Sequence, residues 1–316
     1  MSLIEVRNLK KYFKVPTGTN HAVDDVSFTI EKGETLGVVG ESGCGKSTLG
    51  RTLIRLQEAT SGQILLNGQD ITHIRGKALK EVREKMQIVF QDPYSSLNPR
   101  LRVESTILEP LQHSGRFKTK SDLMQEADRL MELVGIDERL RQSYPHELDG
   151  GRRQRVGICR ALALNPDFIV CDEPVSALDV SIQAQVLNLL MDLQDSLGVA
   201  YMFVTHDLSV VRHISNHICV MYLGQLVEKA PTEELFRHTM HPYTKALLSA
   251  IPSTDIFHPM QRVKLRGEIT SPIDPAPGCR FAARCPFAKE ECRQPQKLIE
   301  VSPQHFVSCC RVKELN

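Results

Sequence analysis

Four short apolar runs punctuate the chain: Glu34–Val39, Phe168–Cys171, Tyr201–Thr205 and Ile218–Tyr222. The first stops at a glycine, and the other three are nearly continuous in apolar side chains. Runs of that length suit strands of a parallel sheet covered on both faces. After Phe168–Cys171, the residues Ile182, Val186, Leu189, Leu190, Leu193 and Leu197 recur at helical spacing, so Ser181–Leu197 reads as an amphipathic helix. Strand, helix and strand at this separation form a βαβ crossover, which predicts an α/β fold. A further helix is predicted over Lys46–Leu56.

From about Pro93 to Leu148 no strand pattern stands out, and Leu123, Ala127, Leu130, Met131 and Val134 form a helical apolar stripe. This stretch reads as a mostly helical insertion. Beyond about Pro231 the texture changes, and Ile251–Gly278 is proline-rich with few long apolar runs. That suits an irregular extension rather than a second large core. The predicted organisation is an α/β domain over residues 1–235, a helical subdomain inserted at about 93–154, and a small irregular C-terminal extension over 236–316.

Composition narrows the function. The 316 residues allow about two domains at roughly 100–200 residues each. The 39 Lys and Arg against 38 Asp and Glu leave a net charge of +1, which argues against a nucleic-acid binder. No apolar run approaches the roughly 18 residues of a membrane-spanning helix, and Met1–Lys14 lacks the apolar stretch of an export signal. Nine cysteines remain to be explained. Cys44, Cys159, Cys171 and Cys219 are scattered, whereas Cys279, Cys285, Cys292, Cys309 and Cys310 crowd the C-terminus. Without an export signal, such clustering points to metal more than to disulfides.

The stretch Gly40, Glu41, Ser42, Gly43, Cys44, Gly45, Lys46 and Ser47 fits the P-loop pattern, and Thr48 continues it. Glycines let such a loop wrap so that its N–H groups face phosphate oxygens, and the helix that follows adds its positive dipole end. Lys46 would reach the β- and γ-phosphates of ATP, and the Ser47 hydroxyl would hold Mg²⁺. A chance glycine-rich turn is the alternative, but the motif follows a predicted strand and opens a predicted helix. Downstream, the apolar run at Phe168 ends in Asp172 and Glu173. A carboxylate at the C-terminal end of such a strand sits where ligands bind in open α/β sheets. Asp172 would hold Mg²⁺ and Glu173 would polarise the attacking water.

Leu148-Asp149-Gly150-Gly151-Arg152-Arg153-Gln154-Arg155 resembles the LSGGQ signature of ATP-binding cassette proteins. Gln91 resembles that family's Q-loop glutamine, Ser176–Asp179 its D-loop and His206 its switch histidine. The resemblance implies a RecA-like P-loop NTPase core with Lys46, Glu173 and His206 catalytic. It also implies Gln91 near Mg²⁺, and Asp149, Gly150 and Gly151 on the nucleotide of a second cassette paired head to tail. An aromatic stacking on adenine is implied as well, with Phe13 at the best-matching place and Tyr12 beside it. The signature departs from its pattern, because Asp149 replaces serine and Arg152 replaces glutamine. An ionised Asp cannot donate to a γ-phosphate and would repel it, although it caps helices well. Either Arg152 and Arg153 neutralise it, or the signature serves a weaker site in a hetero-pair.

His241-Pro-Tyr-Thr, with Ile251-Pro252 beyond it, resembles a segment of oligopeptide and dipeptide importer ATPases. Cys279, Cys285, Cys292 and Cys309 resemble the cysteine-bearing tail of that subfamily. No pair among these four has the short spacing usual for zinc, whereas thiolate-bound [4Fe–4S] clusters tolerate varied spacing. The resemblance favours the cluster, with zinc and free thiols as alternatives, and Cys310 is left over. It further implies an ATPase peripheral to the cytoplasmic face of the membrane, working with permease subunits and, indirectly, an extracytoplasmic peptide-binding protein. Import of another solute such as nickel is an alternative. A soluble cassette acting on chromosomes is disfavoured, because roughly a hundred residues without sustained heptads separate P-loop from signature, and one acting on ribosomes because such chains usually carry two cassettes and this has one.

Overall fold

The computed structural model describes residues 2–251, 263, 265, 267 and 270–316. The chain forms two compact units: Met1–Ile30, Thr35–His73 and Phe203–Asn316 make the first, and Glu31–Glu34 with Ile74–Met202 the second. The proline-rich stretch Ile251–Gly278, including Pro252, lies largely outside the described residues.

In the first unit the strand Thr35–Val39, buried along its length, runs parallel to His217–Tyr222. The turn at Leu223 and Gly224, both at positive φ, sends the chain back antiparallel as Gln225–Pro231. A second, antiparallel sheet pairs Ile4–Val15 with Gly18–Ile30 and Ser61–Leu66. Its inward face carries Ile4, Val6, Leu9, Val26, Phe28 and Ile30, all buried. The helix predicted over Lys46–Leu56 ends at Leu53, because Arg55 adopts a left-handed conformation that no helix continues through.

The extension is more regular than expected. Ile299–Ser302 and His305–Val307 form a hairpin whose second strand pairs with Gln225–Pro231. Beneath this pairing Glu228 is fully buried and accepts from His305 Nε2 at 2.8 Å, Met240 N at 2.8 Å and His241 N at 3.1 Å. A buried carboxylate is tolerable only with such a set of donors.

In the second unit Met86–Val89 runs parallel to Phe168–Asp172. Between Pro93 and Leu148 the longest described elements are the helices Val103–Ser114 and Lys120–Leu133. The two pack on each other, and Ile107 and Leu111 of one and Ala127, Leu130 and Met131 of the other are buried. Thr119 caps the second helix by accepting from Asp122 N. Gly150–Leu162 packs against both Val103–Ser114 and Val180–Leu197, the latter buried through Val186, Leu189, Leu190 and Leu193.

His241 sits at the N-cap of the helix Pro242–Ser249, and its Nδ1 accepts from Tyr243 N at 3.1 Å. Burial pushes its pKa from the ordinary 6.5 down to about 4, with Glu228 opposing. Protonation would also place a hydrogen where the Tyr243 N–H already points. Between pH 6.5 and 4 the unfolded chain therefore binds the extra proton, and stability falls as pH drops, by roughly 3 kcal/mol at pH 4. His241→Asn keeps a cap but does not titrate, so its melting temperature should fall less than that of the parent between pH 6.5 and 4. Parallel curves for the two proteins would rule out His241 as the source.

Candidate functional site

In the first unit, the loop between Val39 and Lys46 is shaped by its glycines. Gly45 lies at φ 107°, and a Cβ there would stand 1.9 Å from the Ala22 carbonyl oxygen. Only glycine fits. The Cys44 carbonyl accepts from Gly224 N at 2.8 Å, which ties the loop to the turn after His217–Tyr222. Cys44 is buried, and burial pushes its thiol up, so it serves as packing rather than as a nucleophile. Lys46, 5% exposed, donates from Nζ to the carbonyls of Gly40 at 2.7 Å and Glu41 at 3.0 Å. A cation is thus held at the mouth of a helix N-terminus that also carries Ser47 and Thr48. That combination attracts a phosphate chain.

Tyr12 and Phe13 lie on the strand Ile4–Val15. Tyr12 is already engaged: its ring stacks on His21 at 4.0 Å and its hydroxyl donates to Asp24. Phe13 is half-buried with Lys11 Nζ 4.7 Å from its ring centre. His206 is exposed, between the strand Ala200–Thr205 and Asp207, which caps the helix Leu208–Ile214.

In the second unit the fully buried strand Phe168–Asp172 delivers Asp172 at 0% exposure. Glu173 follows at φ 48°, a left-handed turn held by Ser176, whose N and Oγ both donate to the Glu173 carbonyl at 3.3 and 3.1 Å. Gln91 Nε2 donates to Glu173 Oε2 at 2.8 Å. Two residues 82 positions apart, singled out separately in the sequence, are therefore one hydrogen-bonded pair.

Asp149 caps Gly150–Leu162, its Oδ1 accepting from Arg152 N at 2.8 Å. Arg152 Nε lies 3.3 Å from Asp149 Oδ2, with both side chains more than half exposed, so the pair is worth little to stability. Arg153 does not share in this pairing: it donates to the Pro145 carbonyl at 2.6 Å and lies over the Tyr94 ring. Of the two arginines expected to offset Asp149, only Arg152 does so. A Cβ on Gly151 would meet Ile182 Cγ2 at 2.6 Å, and one on Gly150 would meet Leu178 Cδ2 at 2.9 Å. The signature glycines allow the helix start to press against Leu178, within Ser176–Asp179, and Ile182.

The C-terminal cysteines are gathered in the first unit. Cys279 N donates to the Cys292 carbonyl at 2.8 Å, and Cys279 interacts electrostatically with Cys285, Cys292 and Cys309. Cys292 and Cys310 Sγ lie 3.9 Å apart, so Cys310, without a role in the sequence reading, belongs to the same group. Burial pushes the Cys279 thiol up to about 12 and raises those of Cys285 and Cys309. Among the described residues no three His, Cys, Asp or Glu side chains converge as they would around a metal ion. The expected donors are neighbours, but they do not converge in ligating geometry among the described residues.

Among the described residues no helix is long and apolar enough to cross a membrane. Residues 23–176 match the family model described as ABC transporter, and residues 227–292 that of the oligopeptide/dipeptide transporter C-terminal region. The oligopeptide transport ATP-binding protein AppF of Bacillus subtilis is 49% identical over 98% of this chain and 97% of its own. OppF of the same organism, also named an oligopeptide transport ATP-binding protein, is 50% identical over 97% and 96%. Among solved structures, the dimeric ATP-binding cassette MJ0796, bound to ADP and Pi after hydrolysis, superimposes with a TM-score of 0.67. It is 28% identical, covering 72% of this chain and 98% of the cassette. CbiO1 of Clostridium perfringens, part of an ABC transporter complex, gives 0.67 at 27% identity over 75% and 91%. The order of loop, glutamine, signature, carboxylates and histidine, carried on an α/β scaffold of this likeness, places the chain in the ABC transporter ATPases, in their oligopeptide/dipeptide branch.

Proposed function

We propose that this chain is the ATP-hydrolysing subunit of an importer for oligopeptides or dipeptides, peripheral to the cytoplasmic face of the membrane. The hydrolytic part rests on Glu173, whose carboxylate is aimed by a left-handed turn and steadied by the Gln91 amide at 2.8 Å. The import part rests on likeness to oligopeptide transport proteins along nearly the whole chain. By the same reasoning its partners are permease subunits and a second cassette, with a peptide-binding protein acting indirectly; nucleic acid has no part.

Lys46 and the loop N–H groups bind the phosphate chain and offset charge on the transferring phosphoryl group. Ser47, Asp172 and Gln91 would hold Mg²⁺, which would supply positive charge to offset that of the phosphates. Glu173 orients the attacking water and accepts its proton, while His206 donates to the γ-phosphate. Phe13 fits the adenine platform better than Tyr12, whose ring already has a partner in His21. Asp149 has Oδ1 engaged as a cap and Oδ2 facing Arg152, which lessens its repulsion of phosphate and favours a competent signature.

The variant Glu173→Gln keeps the hydrogen-bonding shape but cannot take the proton. Hydrolysis should fall about 100-fold or more, within the range of general-base catalysis, and the protein should accumulate as an ATP-bound dimer. A variant that stays monomeric at saturating ATP, alone and with a second cassette, would contradict this mechanism.

Cys279, Cys285, Cys292 and Cys309 would hold a [4Fe–4S] cluster by donor type, which as thiolates they would ligate through sulfur. Anaerobically purified protein should be brown, with broad absorbance near ~400 nm that Cys285→Ser abolishes. Colourless protein carrying about one zinc per chain would replace the cluster with a zinc site.

A further inference from the structure

The residue following the first glycine of the phosphate loop is fastened from three sides. Glu41 N donates to Tyr243 Oη at 2.9 Å, and the Glu41 carbonyl accepts from Lys46 Nζ at 3.0 Å. Its carboxylate takes a two-point grip from Arg284, Nη1 to Oε2 at 2.6 Å and Nη2 to Oε1 at 2.9 Å. The Arg284 side chain is 9% exposed and that of Glu41 is 24% exposed. Two of these three fastenings come from the C-terminal part of the chain. Tyr243 opens the helix Pro242–Ser249, and Arg284 stands beside Cys285.

We propose that Arg284 and Tyr243 are positioning residues for the phosphate loop, acting through Glu41, so that the C-terminal segment helps to set ATP affinity. The fork of a guanidinium on a carboxylate fixes orientation as well as distance, which a single-point contact does not. Lys46 hangs from the carbonyls of Gly40 and Glu41, so a shift in the Glu41 backbone moves the cation that meets the phosphates. Arg284 also cancels a negative charge that would otherwise stand at the mouth of an anion site. The grip is itself braced. The Tyr243 ring packs edge-on against Tyr222 at 4.7 Å and tilts against Phe281 at 5.3 Å, and Arg280 pairs with Asp24 and the Leu223 carbonyl. Asp24 in turn accepts the Tyr12 hydroxyl, so one segment reaches both the phosphate loop and the aromatic strand.

The competing reading is a staple that holds the C-terminal segment in place without bearing on nucleotide. Calorimetric titration of the full chain with Mg·ATP separates the two. Arg284→Gln, which leaves the Glu41 charge uncompensated, should weaken binding about 10-fold. Glu41→Gln and Tyr243→Phe should each weaken it about 3-fold, and Arg284→Lys should fall between Arg284→Gln and the parent. The double variant Arg284→Gln/Glu41→Gln should resemble Glu41→Gln alone rather than reach the product of roughly 30-fold, because both changes act through one contact. The KM for ATP should rise in parallel while kcat stays within about twofold. Unchanged affinity with a lowered melting temperature or a smaller active fraction overturns the proposal, as do multiplying losses in the double variant. Should Arg284→Gln not fold, Tyr243→Phe and Arg284→Lys carry the same test. The inference rests on ATP being the nucleotide: a parent protein that does not bind Mg·ATP would sink that reading, whereas equal affinity in parent and variants sinks this one alone.

Discussion

The first unit depends on backbone meeting backbone without side chains between. The phosphate loop can lie against the strand Gly18–Ile30 because Gly45 brings no Cβ to the Ala22 carbonyl, and Gly224 brings none to His21. Asp24 N then donates to the Gly224 carbonyl and Gly224 N to the Cys44 carbonyl, both at 2.8 Å. Loop, turn and hairpin strand are thereby hydrogen-bonded in series. A methyl group at either glycine would force carbonyl groups apart, and the loop that holds Lys46 would shift with them.

This constraint explains why some of the chemistry was legible in the sequence. Glycines forced by close approach, as at Gly40 and Gly45, or by a positive φ, as at Gly43, must stand at fixed positions, so they spell a pattern that can be read without coordinates. The buried strands behind the loop and before Asp172 were equally plain, being apolar on both faces. The antiparallel strands Ile4–Val15 and Gly18–Ile30 were not, because much of their length is half-exposed and gives no clear alternation. The hairpin at Ile299–Val307 is too short to announce itself and draws its pairing from Gln225–Pro231. Arg153 illustrates a second limit. Neighbours in sequence on a helix point in different directions, so its proximity to Asp149 did not predict its partner at Pro145.

Contacts between distant parts of the chain escaped the sequence altogether. Arg284 and Glu41 are 243 positions apart, and Arg280 and Asp24 are 256 apart. Asp24, Arg280 and Arg284 each read alone as an ordinary surface charge, and Glu41 as no more than a variable position of the P-loop pattern. Together with Glu228 and His305 they form three polar links, each joining residues beyond Cys279 to earlier parts of the same unit. Hydrophobic side chains of similar size would hold such a segment at least as firmly, since desolvation offsets much of the attraction within a buried ion pair.

The use of charge therefore calls for a reason other than adhesion, and geometry supplies one. An apolar contact tolerates sliding, whereas a bidentate grip fails when either partner rotates. The segment from Cys279 to Cys285 carries both arginines between thiols that gather with Cys292 and Cys309. Its backbone is tied at both ends, by Cys279 N to the Cys292 carbonyl and by Cys285 N to the Phe281 carbonyl. Because Arg284 ends on the loop residue whose carbonyl steadies Lys46, the C-terminal segment is continuous with that loop through three directed contacts, not an appendage to it.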